Sequence, residues 1–334
     1  MKINLKHVSL FSLFILLTLT LGLSGAYGWT RGPPRVTPST IGTTITGFNG
    51  PWALAFDPNK KEVFVSNNNI NTVSVISDAT DTITATITVG SYPVGLAFDS
   101  HLNEIFVANY GDNTVSVIAD ATNTVTATIT GFNGPWGVAF DSHLNEVFVA
   151  NGNTNTVMVI SDSTNTVIKT ITVDDSPTGI VFDPHNREVY VTNSGYTGGG
   201  NTVSVISDAT NRVIADITVG YCPFWIDFDS HNKEVYVANM YSATISVISD
   251  SSNTVITTIA GQSGPMGVAF DSHNNKVYVT NCYSYTVSVI SDSTNTITRT
   301  LIGIGNPAAD VFDSYTNQIF IANYEENTVT VIPG

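Results

Sequence analysis

The sequence predicts an all-β fold, a seven-bladed β-propeller with four antiparallel strands in each blade. The first observation is a repeat, marked by a Phe-Asp dipeptide that occurs once in each of seven copies. Five of the six spacings between these aspartates are 42 residues, and one is 46. The aspartates are Asp57, Asp99, Asp141, Asp183, Asp229, Asp271 and Asp313. A fixed period of this length indicates one small structural unit copied around an axis or along a stack.

The second observation is that each copy contains four short runs of alternating apolar and polar residues. Three of them, in the second copy, are Pro93–Asp99, Glu104–Asn109 and 114–118, and the segment 83–89 represents the fourth type. Turn-forming residues separate the runs, and no window has the spacing of an amphipathic helix. Alternation with a period of two predicts strands. Four strands in each repeat of about 40–45 residues are typical of a propeller blade.

The third observation is that the first and last copies complement each other. We name the strands of a blade A (innermost) to D (outermost). The last copy stops after its strand C, at 328–332, whereas an additional strand-like segment, 41–46, precedes the first copy. We therefore expect this segment to complete blade 7 as its strand D, which would pair an otherwise exposed edge. An insertion at 194–200 in blade 4 accounts for the spacing of 46 residues.

The N-terminal residues predict a targeting segment and a tether ahead of the propeller. Lys2 and Lys6 precede an apolar stretch at 8–23 and small residues at 24–26. This pattern is typical of a secretory signal peptide, residues 1–26, cleaved after Ala26. A retained anchor is the alternative, but the apolar stretch is shorter than the ~20 residues that span a bilayer. Residues 27–39 contain three prolines and predict a short, extended tether, which leaves 40–334 for the propeller.

Composition limits the partners that the chain could bind. Its formal net charge is −15, and loss of residues 1–26, which hold two lysines and no acid, would make it −17. Binding to nucleic acid depends on clustered Lys and Arg, so we expect no nucleic-acid partner. The same argument disfavours docking on anionic lipid. The predicted signal segment indicates a protein that is secreted or held at the cell surface.

Several short motifs resemble the YVTN family of β-propeller repeats. Tyr-Val-Thr-Asn occurs at 190–193 and 278–281, and Asn-Thr-Val-Ser-Val-Ile occurs at 71–76 and 201–206. The resemblance covers about 41–334 and recurs at one period. It implies an exported or surface-layer propeller of the archaeal or bacterial type. It implies no reaction, because propellers include both binding modules and enzymes.

Residues that recur in every copy are interpreted as structural. The Phe-Asp aspartate opens the turn between strands A and B, where a carboxylate can accept hydrogen bonds from turn N–H groups. An asparagine closes strand B in all seven copies and is expected to act similarly. Five histidines share one A–B turn position: His101, His143, His185, His231 and His273. They are interpreted as exposed turn residues, because equivalent turns of different blades should lie too far apart to share a metal.

Candidate ligand-binding residues cluster on one face. We call the face with the D–A and B–C loops the top face and the opposite face the bottom face. The top loops contain acids and many aromatic residues but no lysine or arginine. Aromatic faces stack on sugars and attract cations, although packing between blades is the alternative for each residue alone. The predicted ligand-binding residues are Trp52, Tyr92, Tyr110, Trp136, Phe224, Tyr241 and Tyr283.

Two carboxylates interrupt the apolar pattern of strand A. Asp227 replaces Ala or Val of the other copies, and Asp310 replaces Leu, Ile or Val. A buried carboxylate is costly unless it is paired or bound to metal. The two aspartates are therefore candidates for a divalent-cation site in the central channel, or for local hydrogen bonding. Cys222 and Cys282 lie on the top side of neighbouring blades and could form one disulfide or remain separate thiols.

These observations predict an exported, non-enzymatic propeller whose top face binds a glycan, a peptide or a surface partner. We expect no cofactor apart from the candidate divalent cation. The first alternative is a metal-assisted hydrolase or lyase with that cation in the channel, which requires several converging carboxylate, Asn or His ligands. The second alternative is a structural surface-layer component, in which the outer D strands would form the contacts.

Overall fold

The computed structural model describes residues 42–195 and 199–334 and confirms the predicted all-β architecture. The predicted signal peptide (1–26) and tether (27–39) lie outside the described residues. In the described part of the chain, no helix is long and apolar enough to cross a membrane.

The described residues form 28 strands in chain order. Those up to the end of blade 3 are β1 (Thr43–Thr46), β2 (Pro51–Asp57), β3 (Glu62–Asn67), β4 (Thr72–Ser77), β5 (Thr82–Thr88), β6 (Pro93–Asp99), β7 (Glu104–Asn109), β8 (Thr114–Ala119), β9 (Thr124–Thr130), β10 (Pro135–Asp141), β11 (Glu146–Asn151), β12 (Thr156–Ser161) and β13 (Thr166–Thr172). The remaining strands are β14 (Pro177–Asp183), β15 (Glu188–Asn193), β16 (Thr202–Ser207), β17 (Arg212–Thr218), β18 (Pro223–Asp229), β19 (Glu234–Asn239), β20 (Thr244–Ser249), β21 (Thr254–Ala260), β22 (Pro265–Asp271), β23 (Lys276–Asn281), β24 (Thr286–Ser291), β25 (Thr296–Ile302), β26 (Pro307–Asp313), β27 (Gln318–Asn323) and β28 (Thr328–Pro333).

Within the described residues the strands form seven antiparallel sheets of four strands, one for each blade. Blades 1 to 6 each consist of four consecutive strands, beginning at β2, β6, β10, β14, β18 and β22. Blade 7 has the order β1-β28-β27-β26, with Thr43 paired to Val331 and Thr46 to Thr328. The N-terminal strand therefore completes the last blade, as the sequence predicts.

The apolar cores of the propeller lie between consecutive blades. One cluster joins Phe148 and Val159 of blade 3 to Ile180 and Val191 of blade 4. Strands B and C are almost completely buried, whereas strand D alternates between exposed and partly buried residues, as in β5. Because each blade buries its apolar face against the next, a blade depends on both neighbours for its stability.

The aspartate that recurs in all copies has the predicted turn role, whereas the recurring asparagine bonds to strand C and to the preceding loop instead of the B–C turn. Asp183 is fully buried, and its Oδ1 accepts hydrogen bonds from the N–H groups of His185 and Asn186, at 2.7 and 3.4 Å. The equivalent aspartates of the other six copies make the same pair of bonds. Asn239 donates to the hydroxyls of Thr244 and Ser246. These side chains satisfy turn groups and polar strand groups, so the repetition reflects folding.

The histidines do more than the sequence predicts. His101 Nδ1 lies 2.7 Å from Asp162 Oδ2, on the C–D turn of the following blade. Three further pairs repeat this contact between blades: His143–Asp208 (2.9 Å), His185–Asp250 (2.8 Å) and His231–Asp292 (2.7 Å). The prediction of exposed turn residues is confirmed for these four. The sequence did not predict their contacts between blades, which form because the C–D turn of one blade reaches the A–B turn of its neighbour. His273 instead packs against the ring of Phe312, and Gly334 stands where other blades carry the aspartate.

Candidate functional site on the top face

Three predicted binding residues form a plug at the top of the channel. Trp52, Trp136 and Phe224 belong to the inner strands of blades 1, 3 and 5, and all three are buried. Their rings meet edge to face, with centroids 6.0 Å apart for Trp52 and Trp136 and 5.9 Å apart for Trp136 and Phe224. They reach each other past the smaller Val94 and Thr178 of the intervening blades. We call Trp52, Trp136 and Phe224 the aromatic plug.

The plug corrects the predicted open aromatic mouth. Rings in mutual contact with little accessible surface cannot offer their faces to a ligand, and their edge-to-face geometry is that of core packing. Tyr110 packs against Trp136, with centroids 5.4 Å apart, and Tyr324 packs against Trp52 at the same distance. Tyr92 is half-buried as well. The sector of the top face over blades 1 to 3 therefore supports the plug.

Exposed aromatic residues gather in a different sector. Among the described residues of the top loops, the exposed aromatics are Tyr221 (59%), Tyr241 (39%), Tyr283 (54%) and Tyr285 (38%). They lie on the loop before β18 and on the B–C loops of blades 5 and 6. We call these four residues the tyrosine patch. Tyr241 and Tyr283 are predicted by the sequence, whereas Tyr221 and Tyr285 are missed. Two features of the sequence could have identified them: the tyrosine-rich B–C loop Cys-Tyr-Ser-Tyr at 282–285 and the dipeptide Tyr-Cys at 221–222.

Hydrogen bonds hold the loops of the tyrosine patch in place. The Tyr241 N–H donates to the carbonyl of Tyr221, at 3.3 Å, and the Tyr221 N–H donates to the Ser242 hydroxyl at 2.8 Å. Desolvation by burial raises the pKa of the Tyr241 and Tyr283 phenols, so both hydroxyls stay protonated. The patch thus presents rigid aromatic rings and neutral hydroxyls that can donate and accept.

The two cysteines lie beneath the tyrosine patch as free thiols. Cys222 and Cys282 are both buried, and the structure contains no disulfide between them. Burial raises the pKa of each thiol to about 12. Since the thiolate is the reactive form, both side chains behave as small apolar residues under the patch.

Acidic side chains border the top loops, and several of them stabilise these loops. Asp112 accepts a hydrogen bond from the Ser91 N–H, and Glu326 accepts one from the Asn306 N–H. Asp174 accepts one from the Thr202 hydroxyl. Glu325 is exposed, and desolvation followed by the charge of Glu325 raises the pKa of Tyr285. Glu325 and Glu326 therefore place negative charge close to Tyr285 of the tyrosine patch, and the top loops contain no lysine or arginine.

The two intruding aspartates share one cavity in the channel. It has a volume of about 200 Å³ and is lined by strand A residues of all seven blades, mostly apolar. Asp227 is paired locally, because its oxygens accept the N–H groups of Phe228 and Phe270 at 2.9 and 2.8 Å. Desolvation nevertheless raises its pKa to about 6. Asp310 has no hydrogen-bond partner for either oxygen, and desolvation followed by the charge of Asp227 raises its pKa strongly.

This cavity falls short of a metal centre. Asp227 and Asp310 both line it, but the other described lining residues include no Asn, His, Cys or Glu side chain. A divalent cation bound by protein requires more ligands than two carboxylates, one of which is already saturated by backbone donors. The structure thus brings the two candidates together without the further ligands that the cation prediction requires.

Comparison with known proteins supports the fold. The chain is similar to a solved structure titled Kuenenia stuttgartiensis Hydrazine Synthase, with a TM-score of 0.76 and 16% sequence identity. The match covers 92% of this chain and 99% of that chain. At this identity the likeness shows the propeller fold alone. No family model matches the sequence, and no curated protein matches it. Membership of the YVTN family therefore stays a prediction.

Proposed function

We propose that this protein is an exported, non-enzymatic propeller of the YVTN-repeat type that binds a glycan at its tyrosine patch. The observation that carries the proposal is the segregation of aromatic residues on the top face. Trp52, Trp136 and Phe224 are buried in the plug, whereas the exposed aromatic residues of the described top loops lie in the loops of blades 5 and 6. Contiguous exposed rings on ordered loops favour ligand binding over core packing.

The chemistry of the patch favours neutral or basic sugars. Tyrosine rings stack on the apolar faces of pyranoses, and the phenol hydroxyls can hydrogen-bond to sugar hydroxyls. Glu325 and the other acids of the top loops would repel phosphorylated sugars and uronic acids, and no top-loop lysine or arginine offsets them. An amino sugar would gain a favourable electrostatic contact.

The channel gives less support to a catalytic function. Asp310 is unpartnered, which is the one observation that favours a reactive carboxylate. However, its cavity is lined almost entirely by apolar strand A residues, and the aromatic plug packs above it. A hydrolase would also need an activated water and a path for its substrate. We therefore prefer the binding function and treat Asp310 as a structural exception.

A glycan array with matched tyrosine variants tests this function. We expect the wild-type protein to bind neutral or amino-sugar glycans and Tyr241→Ala/Tyr283→Ala to lose at least about tenfold in affinity, or about 1.4 kcal/mol. Tyr315→Ala is the control, because Tyr315 is also 59% exposed but lies on the bottom face, in the A–B turn of blade 7. Binding that survives the double variant, or binding of peptides in preference to glycans, would contradict the proposal.

A further inference from the structure

Two junctions on the bottom face collect potential metal ligands. At the junction of blades 3 and 4, Asp141, His143 and Asp208 each offer one ligand atom, and these atoms lie within 4.8 Å of one another. At the junction of blades 4 and 5, Asp183, His185 and Asp250 have the same arrangement. We call these sets the junction clusters. In both clusters, the earlier blade contributes the aspartate at the end of its strand A and the histidine of its A–B turn. The next blade contributes the second aspartate, from its C–D turn.

Each junction cluster contains a buried carboxylate oxygen without a partner. Asp141 and Asp183 are fully buried. Their Oδ1 atoms accept the N–H groups of the following turn, whereas their Oδ2 atoms have no hydrogen-bond partner. A buried oxygen of this kind is costly and normally finds a donor or a cation. The carboxylate as a whole lies beside the imidazole and the second carboxylate, and the cluster contains no lysine or arginine.

The charges around the clusters are negative. In the described structure, the ion pairs join aspartates to histidines, and none joins a carboxylate to lysine or arginine. Glu146 lies close enough to Asp141 and Asp208 for their charges to raise its pKa, although burial is the larger cause. It accepts a hydrogen bond from Asn211, and Glu188 accepts one from Asn253. A single imidazole therefore faces two or three carboxylates at each junction.

The geometry points to two divalent transition-metal sites, one in each junction cluster, that link neighbouring blades. An imidazole nitrogen with two carboxylates suits Zn²⁺ and similar metals, whereas Ca²⁺ and Mg²⁺ prefer oxygen ligands alone. The His–Asp distances of 2.9 and 2.8 Å are close to the roughly 3.3 Å ligand separation that tetrahedral Zn²⁺ bonds of ~2 Å imply. Water would supply a fourth ligand.

The chain contains natural comparisons at its other junctions. Asn59 takes the histidine position at the junction of blades 1 and 2, where Lys60 Nζ instead donates to the carbonyl of Asp120. Gly334 takes the aspartate position opposite His273. The clusters around His101 and His231 contain the same residue types, but their ligand atoms do not meet within the same distance. These differences limit the expected stoichiometry to two metal ions.

Titration of the full, untagged chain with Zn²⁺ tests the inference. We expect two bound ions by calorimetry, and a rise in Tm of about 4 °C per site at roughly a hundred times Kd. Asp208→Asn and Asp250→Asn should each remove one ion, and the double variant should remove both. Asn preserves the side-chain volume, and circular dichroism without metal checks that each variant folds.

Asp120→Asn is the matched control, because Asp120 has the same position on its C–D turn but faces Asn59 instead of a histidine. This variant should still bind two ions. Absence of Zn²⁺ binding to the wild type would overturn the inference. Unchanged binding by the double variant, or loss of an ion in Asp120→Asn, would overturn it as well.

Discussion

The two faces of the propeller differ in how much equivalent residues vary among the seven copies. On the bottom face the turn aspartates remain alike, and the buried aspartate at the end of each strand A accepts N–H groups of the following turn. On the top face the position after proline varies from Trp52 in blade 1 to Ala308 in blade 7, and among the described top-face residues exposed tyrosines occur only in the loops of blades 5 and 6. The uniform turn aspartates reflect folding of each blade, whereas the varied residues of the top face can form a specific ligand-binding surface.

The strongest test of this comparison within the top face is removal of a plug ring. Trp136→Ala should lower the free energy of unfolding by about 3 kcal/mol, because it leaves a cavity among Trp52, Tyr110 and Phe224. Tyr221→Ala should change it by less than about 0.5 kcal/mol, since its side chain is exposed. Urea unfolding measures both. Equal losses would remove the distinction between plug and patch.

A turn aspartate tests the uniformity of the bottom face. Asp271→Ala should cost about 2 kcal/mol, because the N–H groups of His273 and Asn274 lose their acceptor. Asp313→Ala should cost a similar amount, since the same turn recurs. Asp271→Asn retains one acceptor oxygen and should cost less. Losses that differ by more than about 1 kcal/mol between the two Ala variants would show that the copies are not equivalent.

Asp310 lies between the two faces and should oppose folding. Asp310→Val restores the residue type of the other copies and should stabilise the protein by about 2 kcal/mol at pH 7, because it removes an unpartnered carboxylate. Asp227→Ala removes an acceptor used by two N–H groups and should give no such gain. A loss of stability in Asp310→Val would instead indicate a ligand or a proton partner for this carboxylate.

Acidification should stabilise the fold. Burial raises the pKa of Asp99, Asp227 and Asp310 in the folded state, so these groups bind protons more tightly when folded. Their effect is most favourable below the unfolded pKa near 4 and is lost as pH rises through the folded pKa, about 6 for Asp227. Tm should therefore fall between about pH 4 and pH 7. Asp227→Asn should flatten this slope, and a Tm that rises over this range would contradict it.

The smallest expected effect concerns the histidines. The hydrogen bond to Asp162 raises the pKa of His101, so its contribution is present below the unfolded pKa and is lost as pH rises through the folded value. His101→Gln should therefore reduce the dependence of Tm on pH between about 6 and 8. His273→Gln is the control, because His273 forms no ion pair in the described structure. Identical pH profiles for both variants would refute a specific His101–Asp162 contribution.

The sequence predicted the fold because strand periodicity and the 42-residue repeat are local signals copied seven times. It also predicted the turn role of aspartates such as Asp57. It did not predict that Trp52 and Trp136 meet each other, since contact between blades 1 and 3 depends on ring closure and on the small Val94 between them. The same limit explains why the sequence did not predict the contact between His101 and Asp162, because Asp162 lies 61 residues away in another blade.

The central claim, ligand binding by the tyrosine patch, is tested most directly by one titration. A glycan identified on the array is titrated against wild type, Tyr241→Ala/Tyr283→Ala and Tyr315→Ala by isothermal calorimetry. We predict that the double variant weakens binding at least about tenfold while Tyr315→Ala leaves Kd unchanged. Equal Kd values for all three proteins, or an equal loss in both variants, would contradict the claim.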